Sequence, residues 1–171
     1  IIGMGRIGEK VARRARLGFD MEVSYYNRTR KLEVENTFGI QWKPMEEVLK
    51  SSDFVLLMTP LTTETTHLIG EKELSMMKKG AFLINASRGQ VIDERALIKA
   101  LQEGLIAGAG LDVFEKEPID HENPLLKLEN AVTTPHIGSA TLKTRDEMAW
   151  AAARALVYEL NGNDSGMRDR K

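Results

Sequence analysis

Apolar and polar positions along the chain follow two alternating rhythms. Short β-branched or apolar runs stand at Ile1 to Gly3, Met21 to Tyr26, Phe54 to Met58, Ala81 to Asn85, Ala107 to Asp112 and Ala131 to Thr134, with a weaker one near Ile40. Longer stretches of helical periodicity separate them, and this alternation predicts repeated βα units around a parallel sheet. In the first such stretch Ile7, Val11, Ala12 and Ala15 recur at helical spacing while Arg13, Arg14 and Arg16 fall on the other face, which predicts an amphipathic helix directly after the first strand. A second helix is expected over Asp93 to Glu103, stopped by Gly104, and a third from Thr141 to about Leu160, ending at Asn161 and Gly162. The third carries Ala149, Ala151, Ala152, Ala153 and Ala155, a composition that favours helix and allows close packing on a partner. Residues 163–171 lose periodicity and are mostly polar, so a disordered tail is expected there and the folded domain is assigned to 1–162. Only Ile1 and Ile2 precede the first glycine, whereas a strand has about five or six residues; the chain is expected to begin inside its first strand.

Composition narrows the classes. At 171 residues the chain suffices for one well-buried domain. Its 24 Lys and Arg stand against 25 Asp and Glu, a net charge of −1, so no electrostatic footprint for nucleic acid or an acidic membrane is present. With no cysteine there is neither a disulfide framework nor a thiolate nucleophile, which suits a cytoplasmic protein. No apolar run approaches the roughly 20 residues of a membrane span. The three histidines, His67, His121 and His136, form no helical pair and no recognisable metal-ligand set.

The chemistry begins at the opening glycines. Gly3, Gly5 and Gly8 have G-x-G-x-x-G spacing after a strand and at the start of a helix. There Gly3 would make the tight turn, Gly5 would admit a pyrophosphate to the backbone, and Gly8 would let helix and strand pack closely. The phosphates would lie on the positive helix N-terminus. The second strand ends at Asn27, nineteen residues after Gly8, where an NAD-preferring site normally carries an acidic residue for the ribose hydroxyls. Asn27, Arg28, Thr29 and Arg30 stand there instead. With arginines available to a 2′-phosphate and no carboxylate in the stretch to repel it, NADP(H) is expected over NAD(H). NAD(H) is the alternative if those arginines are merely solvated.

Three later segments each put a reactive side chain just after a strand, where open α/β sheets bind ligands. Arg88 follows Asn85, Ala86 and Ser87; Glu115 and Glu117 follow Asp112 in a loop closed by Pro118; His136 follows Pro135 and precedes Gly138. A guanidinium can fork onto the carboxylate or carbonyl of a 2-oxo acid, which a lysine cannot reproduce. Together with a dinucleotide site, an Arg, a carboxylate and a His at successive strand ends make up the inventory of an oxo-acid reductase.

With "GMGRIG", "YYNRTRK", "PLTTET", "NASRGQVIDERAL", "GAGLDVFEKEP" and "PHIGSAT" in this order, the chain resembles the D-isomer-specific 2-hydroxyacid dehydrogenases, and most closely their glyoxylate and hydroxypyruvate reductase branch. The resemblance runs from Ile1 to about Gly162. It implies a Rossmann-like doubly wound parallel sheet, the cofactor domain only, since the family's substrate-anchoring domain is not found in the chain. The family's catalytic arginine falls on Arg88, its glutamate on Glu117 and its histidine on His136. Cofactor contacts are implied at Arg6 and Ile7, at Asn27, Arg28 and Thr29, at Thr59 and Pro60, at Ala86 and Ser87, at Asp112 and at His136 and Gly138. His67 and His121 match no family role and are read as structural, and Trp42 and Trp150 as packing residues. The resemblance further implies a homodimer acting on a small 2-oxo or 2-hydroxy acid. Lacking half its cleft, this chain alone is expected to bind a dinucleotide but to turn over 2-oxo acids poorly. The rival reading is a dinucleotide-sensing module of the corepressor kind, without significant turnover.

Overall fold

The computed structural model describes residues 1–161. The tail expected over 163–171 lies outside the described residues. The chain divides into two compact units, Ile1–His136 and the residues from Ile137 on.

In the first unit the strands are β1 (Ser24–Tyr25), β2 (Gln41–Trp42), β3 (Phe54–Leu57), β4 (Phe82–Asn85), β5 (Gly108–Leu111) and β6 (Ala131–Thr133). The helices are α1 (Arg6–Gly18), α2 (Leu32–Phe38), α3 (Met45–Ser51), α4 (Glu71–Met76) and α5 (Glu94–Gln102). β1 pairs with β2, and β3, β4, β5 and β6 pair in that order, all in parallel. Ile2 joins the two sheets by parallel bridges to Tyr26 and Leu57. Its amide donates to the Leu56 carbonyl and its carbonyl accepts from the Met58 amide, both at 2.8 Å. All seven expected runs therefore lie in one parallel array, with the chain's start between β1 and β3.

Strand alternation places successive side chains on opposite faces. Val55, Leu57, Leu83, Ala109 and Leu111 share one core with Val48, Leu49, Leu74, Leu97 and Leu101 from α3, α4 and α5. Met4, Ala12, Tyr25, Val34 and Ile40 form a second core with α1 and α2. On the second face, Phe54 and Phe82 stack with ring centroids 5.6 Å apart while remaining 51% and 42% exposed. α5 starts where sequence placed it, because the Asp93 side chain caps it by accepting from the Ala96 amide.

The second unit carries α6 (Leu142–Leu160), whose Thr141 hydroxyl accepts from the Thr144 amide. Trp150 on α6 is 65% exposed, unlike Trp42, which packs beside Tyr26 and donates its indole N–H to the Asn27 carbonyl.

Candidate active site

Parallel strands all end on one edge, so the segments after Ile2, β1, β3, β4, β5 and β6 share the carboxyl edge of the sheet. The three glycines differ there as the motif requires. Gly3 has φ of +102°, and a Cβ on it would meet the Met58 carbonyl carbon at 2.6 Å and the Thr59 amide at 2.7 Å. A Cβ on Gly8 would meet the Gly3 carbonyl oxygen at 2.5 Å, whereas one on Gly5 would meet nothing within 4 Å. The turn is closed toward the protein and open at Gly5. α1 starts beyond Gly5 without a side-chain cap, which suits its first-turn amides to an anion. Arg6 and Ile7 are exposed on that turn. Behind it the Thr59 hydroxyl is buried without a hydrogen-bond partner, an orphaned polar atom at the position expected to meet the cofactor. These features fit a bound dinucleotide; Pro60, next along, is exposed.

The end of β1 is tied to this turn. Asn27 Oδ1 accepts from the Met4 amide at 2.6 Å and its Nδ2 donates to the Met4 carbonyl at 3.3 Å, so the side chain expected at the ribose also fixes the glycine turn. Arg28 and Thr29 are exposed. Arg30 is not free as sequence suggested: its Nη2 and Nε donate to the two oxygens of Glu35 at 2.5 and 3.2 Å. Glu35 lies on α2, five residues on, and its spacing from Arg30 was the only sequence signal of the pair.

Asn85 ends β4 as a buried polar residue. Its Oδ1 accepts from the Ser87 amide and hydroxyl, and its Nδ2 donates to the Arg88 carbonyl at 2.9 Å. Asn85 thus shapes the loop that exposes Ala86 and Arg88 while burying Ser87. Gly89 then passes against the next loop so closely that a Cβ would stand 1.8 Å from the Phe114 carbonyl carbon. Sequence reasoning assigned a role to neither residue, since their partners are remote in the chain or are backbone atoms.

The loop after β5 is pinned at two carboxylates. Glu115 Oε1 meets His67 Nε2 at 2.9 Å and accepts from the Glu94 amide at 3.0 Å, while Glu94 Oε2 accepts from the Glu115 amide. His67, expected to be structural, therefore has an acidic partner. Glu117 Oε1 accepts from the Phe114 amide at 3.1 Å and its Oε2 meets His136 Nδ1 at 2.7 Å. Burial pushes the Glu117 carboxyl up, but the hydrogen bonds from His136 and the Phe114 amide, then the charges of His136 and Arg88, outweigh it and hold the group below the usual carboxylate range. An ionised carboxylate only accepts, so Nδ1 carries the proton and Nε2 is the exchangeable nitrogen. His136 has φ of +53°, an uncommon backbone state for a residue with a side chain and one that clusters at active sites. Asp112 Oδ1 accepts from the Thr134 hydroxyl at 2.5 Å, linking the β5 and β6 loops. Gly138 belongs to the second unit.

The structure brings Glu117 and His136 into contact, with the Arg88 charge felt at the carboxylate. A groove of about 430 Å³ lies elsewhere, lined by Glu9, Lys10, Arg13, Leu17, Thr37 and Phe38; none of the reactive side chains reaches it. No helix among the described residues is long and apolar enough to cross a membrane.

Residues 1–138 match the family described as D-isomer specific 2-hydroxyacid dehydrogenase, NAD binding domain, and the chain belongs to that family. It is an α/β nicotinamide-dinucleotide domain of an oxidoreductase family. Among its relatives, a glyoxylate reductase of Thermococcus gammatolerans is 57% identical over 162 residues, covering 95% of this chain and 48% of that protein. A glyoxylate reductase of Korarchaeum cryptofilum is 55% identical over 157 residues, covering 92% and 47%. Among solved structures, D-lactate dehydrogenase from Aquifex aeolicus, complexed with NAD and lactic acid, superposes with a TM-score of 0.86 at 34% identity, covering 95% of this chain and 53% of that one. A glyoxylate reductase from Paecilomyes thermophila gives 0.85 at 42% identity, covering 92% and 47%. The chain spans about half the length of the curated relatives it matches.

Proposed function

We propose that the protein reduces a small 2-oxo acid, such as glyoxylate or hydroxypyruvate, to the 2-hydroxy acid with a reduced nicotinamide dinucleotide, residues 1–162 serving as the cofactor domain. The observation that carries this is the 2.7 Å contact between His136 Nδ1 and Glu117 Oε2 on the edge where the glycine turn opens. When bound, the dinucleotide would supply hydride chemistry at the substrate C2. Negative charge then develops on the carbonyl oxygen, and His136 donates the Nε2 proton to it, reversing to base in oxidation. Glu117 holds the ring by its Nδ1–H and so orients Nε2. Arg88, exposed and with its charge felt at Glu117, forks onto the substrate and polarises its carbonyl. Gly3, Gly5, Arg6, Ile7 and Gly8 hold the pyrophosphate, with Asn27, Arg28, Thr29, Thr59, Pro60, Ala86, Ser87 and Asp112 completing the cofactor contacts.

The preferred cofactor in this reading is NADP(H). Its support is the absence of an acidic residue at Asn27 and the exposed Arg28 beside it. A homodimer is the proposed assembly, supported by the exposed Phe54–Phe82 stack, and the cysteine-free composition supports a cytoplasmic setting.

Steady-state kinetics of the full-length protein test the reaction. His136→Ala is expected to lower kcat for glyoxylate or hydroxypyruvate by about 10² to 10⁴ while the dinucleotide Kd stays within twofold. Equal turnover by the variant removes His136 from the mechanism. Tight dinucleotide binding with no 2-oxo acid reduction by the unsubstituted protein would instead favour the sensing module.

A further inference from the structure

Arg30 and Glu35 form more than a surface ion pair. The guanidinium presents two N–H groups to the two carboxylate oxygens, and it lies over the Trp42 ring, 5.8 Å from its centroid. Glu35 is only 12% exposed in its side chain, against 55% for Arg30. It is held from behind by the Tyr25 hydroxyl at 2.8 Å, which itself accepts from the Lys31 amide at 2.6 Å. Tyr25 is fully buried, so Glu35 is anchored to the core and Arg30 to Glu35. Each partner favours the charged form of the other, the Arg30 hydrogen bond being the main cause that lowers Glu35. A forked pair fixed by a ring and a buried phenol commits the Nε–Nη2 edge of the guanidinium and neutralises its charge. Arg28, by contrast, is exposed, makes no ion pair within 4 Å among the described residues, and is felt as a charge at Glu64.

We propose that Glu35 is a specificity-determining residue, holding the Nε–Nη2 edge of Arg30 and neutralising its charge so that, of the two arginines in this loop, Arg28 is the one that reads a 2′-phosphate. This rests on the dinucleotide reading given above and assigns to Glu35 the strength of the preference for the phosphorylated cofactor. The carboxylate is only 12% exposed and is held by the Tyr25 hydroxyl, so it acts through Arg30 and not by touching the ribose.

Dissociation constants for NADPH and NADH, measured by fluorescence titration on the full-length protein, test it. Arg28→Gln is expected to weaken NADPH about tenfold and leave NADH unchanged, the effect of one charge-assisted contact. Arg30→Gln should alter NADPH less than twofold. Glu35→Gln, which keeps an acceptor for the Tyr25 hydroxyl, should release Arg30 and tighten NADPH about three- to tenfold. The double variant Arg30→Gln, Glu35→Gln should return to the unsubstituted value. The proposal is overturned if Arg30→Gln weakens NADPH as much as Arg28→Gln does. It is equally overturned if Glu35→Gln weakens NADH instead, which would make the carboxylate a direct ribose acceptor, or leaves the ratio of the two constants unchanged. Should Glu35→Gln fail to fold, the comparison of Arg28→Gln with Arg30→Gln still decides. An unsubstituted protein that binds neither dinucleotide would remove the cofactor reading itself, an outcome distinct from all of these.

Discussion

A methyl group added at Gly89 would stand 1.8 Å from the Phe114 carbonyl carbon, while one added at Gly5 would meet nothing within 4 Å. The two positions should therefore fail in different ways. Gly89→Ala forces two loop backbones apart and is expected to cost about 1–3 kcal/mol or more, as overpacking does, read as a lower urea midpoint. Gly5→Ala should shift that midpoint by well under this amount and instead weaken dinucleotide binding, because its methyl occupies the space a pyrophosphate needs. A Gly5→Ala variant that binds normally would deny that space its role. Sequence made Gly3, Gly5 and Gly8 legible because their tasks depend on mutual spacing. Gly89, Asn85 and Glu35 were not legible in that way, since what each does depends on an atom that folding brings from another loop, strand or helix.

The strand-end loops are where local elements become a site. Glu115 and Glu117, two residues apart, are held by histidines from the loops after β3 and β6, so the segment between them is fixed from both sides. The carboxyl of Glu117 is lower in the folded protein than the ordinary value of about 4.3, which sets the sign of its pH effect. Its contribution to stability is complete above the unfolded value and is lost as pH falls through the folded one. Glu117→Gln should accordingly make acid unfolding less steep below about pH 4, followed by near-ultraviolet circular dichroism. A steeper acid transition in that variant would show that the carboxyl is not stabilised by folding. All seven strand segments were readable from their apolar runs, and the helices with clear periodicity or caps, α1, α5 and α6, from theirs. The short helices α2, α3 and α4, of 7, 7 and 6 residues, gave too few turns for periodicity to mark their limits. They are held largely by their packing on the sheet.

At the scale of the molecule, a parallel sheet gathers onto one edge groups separated by more than a hundred residues of chain, from Gly3 to His136. The family assignment follows from the match over residues 1–138. The order of the motifs was sufficient to recognise it, whereas the commitment of Arg30 to Glu35 needed coordinates. The proposed reaction requires His136 and Glu117 to act as one unit on the reacting carbonyl. A double-mutant cycle on kcat in the full-length protein, comparing His136→Ala, Glu117→Gln and both together, decides whether they do. Groups that act together are strongly non-additive, so the double variant should be about as slow as His136→Ala alone. Losses that multiply, each variant subtracting its full effect from the other, would contradict the account.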